Sequence, residues 1–367
     1  MALRPWTCVG LALAWLIRFA SPAGANDLSR DEEVVFFPTA VPFDEKAPTT
    51  TLFVHGWIFE PEADSLTRRS ALAGVAKMCD FDEQEQASAL FRERAGRFLV
   101  DNERDQKLIL RIGPRNVPLG GSEENGHIRA KLTLPTVEVR KLATPHGAAP
   151  PTIDFRVVAP TGDARQFRGR VHLVTATGWS VVSDVDDTIK ISNVLDKHEL
   201  LRNTFLREFQ AVPGMAEAYQ TWSRKGAAFH YVSGSPWQLY LPLEAFVEKS
   251  KFPDGAWQLR YFRLQDGSAA KMFEAPDVYK RGAISEILRA YSNRKFILVG
   301  DTGEKDPEAY GDLARQFPEQ VRFIALRNVT DDALDGTRLT TALRDVPVER
   351  VLLFREAAEL PALDALK

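Results

Sequence analysis

Cysteine is almost missing. Two in 367 residues, Cys8 and Cys79, cannot build a disulfide framework. Charge of one sign is missing too: 47 basic residues face 50 acidic ones, a formal −3 that gives no general attraction for nucleic acid. The chain has no apolar run of the roughly 20 residues that a spanning helix needs, no low-complexity tract, and no repeat at a solenoid period. Apolar residues make up 44% and charged ones 26%, the balance of a folded protein with a sizeable core. At roughly 150 residues per domain, the length suggests two or three domains.

Residues 1–25 read as an export signal: Arg4 is the positive start, 7–17 the short apolar run, and Ala23-Gly24-Ala25 the small-x-small cleavage pattern. Cleavage would remove Arg4, Arg18 and Cys8 but no acidic residue, leaving a net charge of −5 and Cys79 alone. The expected destination is a bacterial periplasm or the exterior.

From 27 to 178 the pattern predicts a β-sandwich-like domain, with strands at 34–37, 51–54, 107–112, 127–134, 137–142, 153–158 and 167–174. One helical interruption falls between Pro61 and Val100. From 179 to 367, strands alternate with helices, which predicts a parallel sheet covered on both faces. The strands are expected at 180–183, 228–232, 259–262, 295–299, 321–326 and 351–354. The helices are expected at 215–225, 237–249, 280–291, 307–317 and 331–345. Ligands of such sheets bind beyond the carboxyl ends of the strands.

Three strand ends carry chemistry. Val181-Val-Ser-Asp184-Val-Asp186-Asp187-Thr188 runs an apolar strand into three carboxylates, whose mutual repulsion a cation would relieve. An EF-hand loop is excluded, because its sixth position is Ile189 and its twelfth Leu195. At the next strand end, Ser233-Gly234 can offer a hydroxyl and a backbone N–H to an oxyanion, and Ser235 before Pro236 reads as a helix N-cap. The third end is Gly300-Asp301-Thr-Gly-Glu-Lys-Asp306-Pro307. Asp301 and Asp184 there suit a hard cation such as Mg²⁺, which takes one or two carboxylates plus phosphate oxygens and water. Asp306 before Pro307 also suits an N-cap.

These motifs, in order from 184 to 306, resemble those of the haloacid dehalogenase (HAD) superfamily of phosphohydrolases. Asp184-Val-Asp-Asp-Thr-Ile-Lys190, Ser233-Gly-Ser-Pro-Trp237 and 300–308 are similar, more narrowly, to the actin-patch type of phosphatidate phosphatase. The resemblance implies an α/β fold with a HAD-like Rossmannoid sheet and hydrolysis of a phosphate monoester through an aspartyl phosphate. Phosphatidate would be converted to diacylglycerol, with Mg²⁺ as cofactor. Asp184 would be the nucleophile and Asp186 the acid/base, which would also reach the metal through its backbone carbonyl. Thr188, Ser233, Gly234 and a lysine would bind the substrate, and Asp301 and Asp306 would complete or orient the metal site. Lys280, 21 residues before Asp301, is the better lysine; Lys271 competes with it.

Two rivals are weighed against this. Val54-His55-Gly56-Trp57 resembles a lipase oxyanion segment, but no Gly-x-Ser-x-Gly elbow exists, so His55 reads as a strand-end residue. A non-catalytic cation-binding module explains the carboxylates but not Ser233 and Lys280. A soluble phosphomonoester or a phosphoprotein would be alternative substrates. Only 44 residues separate Thr188 from Ser233, too few for a large lid, so an open site suited to a lipid at a membrane surface is expected. The segment from Pro236 to Leu243 reads either as a core helix packed on the sheet or, with Trp237 and Tyr240, as a guide for acyl chains.

Overall fold

The computed structural model describes residues 28–61, 66–262 and 277–366. The expected export signal and Lys271 lie outside them. The fold is mixed α/β with three sheets, one of them wholly parallel.

The N-terminal half holds β1 (Glu33–Phe37), β2 (Thr39–Phe43), β3 (Thr49–Glu60), α1 (Leu66–Met78), α2 (Glu83–Gln86), α3 (Ala89–Gly96), β4 (Asp101–Asn102), β5 (Lys107–Ile112), β6 (Arg115–Gly121), β7 (His127–Pro135), α4 (Thr136–Leu142), β8 (Thr144–His146), β9 (Ala149–Val157) and β10 (Arg168–Thr175). One sheet joins β1, β3, β4 and β7 through antiparallel pairs. The second runs β2-β10-β9-β5-β6 and is mixed, because β10 pairs parallel with β2. Alternate residues of both, such as Leu52 and Val54 of β3 with Leu108 and Leu110 of β5, share one apolar core. Pro42 is tolerated because β2 is an edge strand.

The strand expected at 137–142 is the helix α4. Its alternation misled because the buried positions, Thr136 and Val139, are three apart, and the ladder of β7 already ends at Pro135. The sequence reading also passed over β2 and β6.

The C-terminal half contains β11 (Trp179–Ser183), α5 (Lys197–Phe205), α6 (Met215–Arg224), β12 (Ala228–Pro236), α7 (Tyr240–Lys249), β13 (Ala256–Arg260), α8 (Asp277–Ala290), β14 (Lys295–Asp301), α9 (Asp306–Gln316), β15 (Val321–Arg327), α10 (Thr337–Ala342) and β16 (Val351–Phe354). Their strands form one parallel sheet in the order β13-β12-β11-β14-β15-β16. Both faces are buried: Val181, Tyr231 and Ile297 point into one core with α6 and α7, while Val182, Val232 and Leu298 point into another with α8 and α9. Such strands must be apolar on both sides, which is why they read as continuous apolar runs.

Three expectations here need correction. Strand β13 begins at Ala256, three residues early, because Ala256, Trp257 and Leu259 are the buried positions. The helix expected at 331–345 shrinks to α10, since Asp331 and Asp345 take left-handed φ values of 58° and 63° that interrupt a helix. Helix α5, capped by Asp196 through the N–H groups of His198 and Glu199, was not foreseen.

The two halves share packing. Phe37 of β1 meets Trp237 at a ring separation of 4.1 Å, and Val75 and Phe91 of the helical interruption lie in the same core as Val181. Arg94 of α3 donates to the carbonyls of Thr204 and Arg207 at 2.7 Å each. Among the described residues no helix is long and apolar enough to cross a membrane.

Candidate active site

Chain order reverses at β11: β12 pairs on one side of it and β14 on the other. A crevice at the carboxyl ends is the expected consequence, and the acidic motifs emerge there.

Asp184 directly follows β11 and is 1% exposed. Its N–H donates to Val299 O at 2.9 Å, and Thr188 Oγ1 donates to Asp184 Oδ2 at 3.1 Å. Lys280, carried by α8, is buried; its Nζ stands 2.7 Å from Asp184 Oδ1, 2.7 Å from Glu304 Oε2 and 2.8 Å from Asp306 Oδ1. The contact to Asp184 is an ion pair without hydrogen-bond alignment, so that oxygen accepts no hydrogen bond.

Asp301 ends β14. Its Oδ1 accepts from the N–H groups of Gly303 and Glu304 at 2.6 and 3.1 Å, which closes a tight turn. Asp301 Oδ2 is buried with no partner among the described residues. Asp306 is the first residue of α9 rather than its cap. Its Oδ2 accepts from Asp301 N–H at 3.2 Å and Oδ1 from Lys280, so it orients both. Gly300 must be glycine, because a Cβ there would come within 2.3 Å of Asp306 Oδ2.

The three carboxylates of 184–187 divide their work. Asp187, at φ 50°, accepts from the N–H groups of Ser192, Asn193 and Val194 at 2.8, 3.0 and 2.6 Å, and so folds the following loop. Asp186 faces the serines: Ser233 Oγ and Ser235 Oγ donate to its Oδ2 at 3.2 and 3.1 Å, and Ser192 Oγ donates to Oδ1 at 2.7 Å. Lys190 Nζ adds an ion pair at 2.7 Å. Ser235 therefore does not cap the turn at 237–239, which has no side-chain cap. Gly234 is half-buried between the two serines.

The electrostatics follow from these neighbours. Burial pushes the Asp184 carboxyl well up; Lys280 opposes this, while Asp306 and Glu304 add to it. Burial, with repulsion from Asp306 and Asp184, does the same to Asp301. Lys280 is held firmly protonated, because its three carboxylates outweigh its burial. For Asp186, burial is overcome by the charge and hydrogen bond of Lys190 and by Ser192, so its pKa sits at about 2.

One ammonium thus faces Asp184, Asp301, Glu304 and Asp306. Oxygens of Asp184, Asp301 and Glu304 lie within 4.8 Å of one another, close enough to ligate one metal ion. Of the residues singled out from sequence, Asp184, Thr188, Lys280, Asp301 and Asp306 meet here, with Asp186 and Ser233 beside them. Sequence reasoning missed Glu304, Lys190 and Ser192. Glu304 lies inside the quoted 300–308 motif but carried no signal of its own; Lys190 stands four residues after Asp186.

Two readings fail. Trp237 and Tyr240 are core residues: Tyr240 packs edge-on against Phe37 and Trp257 and donates to Glu244 Oε1 at 2.7 Å. His55 is not at a strand end either; it is buried within β3, 3.0 Å from His127 Nδ1.

The fold and site thus define an α/β protein with a lysine-anchored acidic cluster at the carboxyl edge of a parallel sheet. Residues 179–328 match the family described as "Phosphatidate phosphatase APP1, catalytic domain". Among curated proteins, the chain is 34% identical over 168 residues to Phosphatidate phosphatase APP1 of Saccharomyces cerevisiae. It is 30% identical over 172 residues to an uncharacterized protein of Schizosaccharomyces pombe. These segments cover 45% and 46% of this chain and 28% of each relative, so the chain matches little more than a quarter of either relative's length.

Proposed function

We propose that the protein is a Mg²⁺-dependent phosphatase of the HAD type that hydrolyses phosphatidate to diacylglycerol. The observation that carries this reading is the convergence of Asp184, Lys280 and Asp301 on one buried point within the segment that matches the APP1 catalytic domain.

Asp184 attacks the phosphorus, forming an aspartyl phosphate as the bond to the leaving alcohol breaks. Asp186 gives its proton to the departing alkoxide. Free Asp186 is ionised, but the negative phosphoryl group arriving beside it favours the protonated form. Water then attacks the phosphorus, Asp186 takes its proton, and inorganic phosphate leaves with Asp184 restored. Ser233, the Gly234 N–H and Lys280 hold the phosphoryl oxygens as charge builds on them.

The fit to a cation rests on Asp301 Oδ2, a buried carboxylate oxygen with no partner among the described residues, and on the hard oxygen donors around it. Asp184, Asp301 and Glu304 would hold Mg²⁺, with the Asp186 carbonyl added as the resemblance implies. The ion would neutralise phosphoryl charge. Phosphate release from phosphatidate, with and without EDTA, tests the reading; no release from phosphatidate at any Mg²⁺ concentration contradicts it.

A further inference from the structure

The catalytic match begins at 179 and leaves the N-terminal half without a task. A cavity of about 170 Å³ lies where the halves meet. Trp57, Asn102 and His127 line it from the N-terminal half, and Trp237, Gln238 and Tyr261 from the other.

A short length of chain links it to the phosphoryl site. Ser235, which bonds Asp186, precedes Trp237 by two residues, at most about 7 Å of chain. Pro236 pairs with Arg260, so Trp237 and Tyr261 leave the sheet side by side at its carboxyl edge.

The walls are fixed before any ligand arrives. Trp57 Nε1 donates to Asn102 Oδ1 at 2.8 Å, His55 Nε2 stands 3.0 Å from His127 Nδ1 and 3.1 Å from the Tyr261 hydroxyl, and the Arg129 guanidinium covers the Tyr261 ring at 4.7 Å. Gln238 Nε2 donates to Phe262 O at 3.0 Å, which sets its amide.

The lining selects a chemistry. Among the described residues it contains aromatic rings, amides and an imidazole kept neutral by burial, and no carboxylate, ammonium or guanidinium. Among the described residues, none of the lining side chains is a cation that would pair with a second phosphate. A bare hydrocarbon chain would leave polar groups unanswered, because Trp237 Nε1 and Gln238 Oε1 are buried without partners among the described residues. The diacylglycerol product can answer both, an ester carbonyl accepting from Trp237 Nε1 and the freed hydroxyl donating to Gln238 Oε1. By volume the space matches about five or six waters at roughly 30 Å³ each, enough for a glycerol ester and too little for two acyl chains. Those chains would leave past Tyr261, which is 43% exposed.

We propose that this cavity is the subsite for the glycerol-ester part of the leaving alcohol, and that the N-terminal half thereby selects the substrate. The inference rests on the phosphatase reading above. Its test uses the full chain and the product side alone: calorimetric titration with 1,2-dihexanoylglycerol, with glucose and adenosine as other ligands suited to aromatic walls. The wild type should bind dihexanoylglycerol saturably at one site. Gln238→Leu and Asn102→Leu, one from each half, should each weaken binding about five-fold or more, as loss of one hydrogen bond implies. Thermal unfolding checks each variant's fold, and Trp57→Phe, which keeps the wall but loses the bond to Asn102, replaces Asn102→Leu if that variant unfolds. No binding by the wild type, unchanged binding by the variants, or preference for glucose or adenosine overturns the inference. A wild type that binds dihexanoylglycerol yet releases no phosphate from phosphatidate would contradict the phosphatase reading and leave the subsite standing.

Discussion

Ser235 donates its hydroxyl hydrogen to Asp186 Oδ2 at 3.1 Å, tying the loop after β12 to the loop after β11. With Ser233 on the same oxygen and Lys190 on the other side, Asp186 is held in one orientation from three directions. Asp184 is held differently, its Oδ1 paired with the Lys280 ammonium at 2.7 Å and its Oδ2 bonded by Thr188.

Asp184→Asn should abolish phosphate release, by at least about 10³-fold, as loss of a covalent nucleophile does. It should leave the melting temperature unchanged or raise it, since the change removes one charge from a crowd of carboxylates around a single lysine. Steady-state assay and thermal unfolding check this; an active variant refutes the mechanism.

Asp186→Asn should lower kcat by about 10²–10⁴-fold, the usual worth of general acid–base help. Lys190→Met removes the ion pair that orients Asp186, and should lower kcat more than it raises KM. Comparable loss in KM would point to a binding role for that loop instead.

Mg²⁺ should raise the melting temperature of the wild type in a concentration-dependent way, because it binds only the folded chain. Asp301→Asn should weaken this shift markedly, and EDTA should stop hydrolysis until Mg²⁺ is restored. Equal Mg²⁺ stabilisation in both proteins contradicts the assignment of Asp301.

Stability should fall in mild acid through the buried histidines. Burial pushes the pKa of His55, His127, His172 and His230 down, to about 3 for His127 and His230. An unfolded histidine titrates near about 6.5. Below that value the unfolded chain takes up protons that the folded one refuses, so stability is complete above it and is lost progressively toward pH 3. Melting temperatures between pH 7.5 and 5 at saturating Mg²⁺ test this, and His127→Gln should show a shallower slope. Identical slopes would remove the histidines from the account.

Tyr240→Ala should destabilise the chain by about 3–5 kcal/mol, the range for a large aromatic lost from a core. Activity on phosphatidate vesicles and on a soluble phosphomonoester should then fall together. A selective loss on vesicles would restore a membrane-facing role to this residue.

How much of this was legible in the sequence follows from the physics of each element. Strands such as β11 and β14 are buried on both faces, so they read as apolar runs, and the carboxylates at their ends stood out by contrast. Helix α4 did not, because six residues cannot separate a period of two from a period of three. Helix α5 hid behind charged residues, its buried face reduced to Leu200, Thr204 and Phe205. In the site, Asp184 and Asp301 were found by position after a strand. Glu304 was not, because only the turn closed by Asp301 Oδ1 swings it back toward Lys280. The pairing of His55 with His127 joins strands that are 72 residues apart, which no local pattern reveals.

The central claim is that Asp184 carries the phosphoryl group during turnover. Acid quench during turnover of phosphatidate, borohydride reduction and peptide mass spectrometry should convert Asp184, and no other carboxylate, to homoserine. Full turnover with Asp184 unmodified, or reduction at a different aspartate, would contradict it.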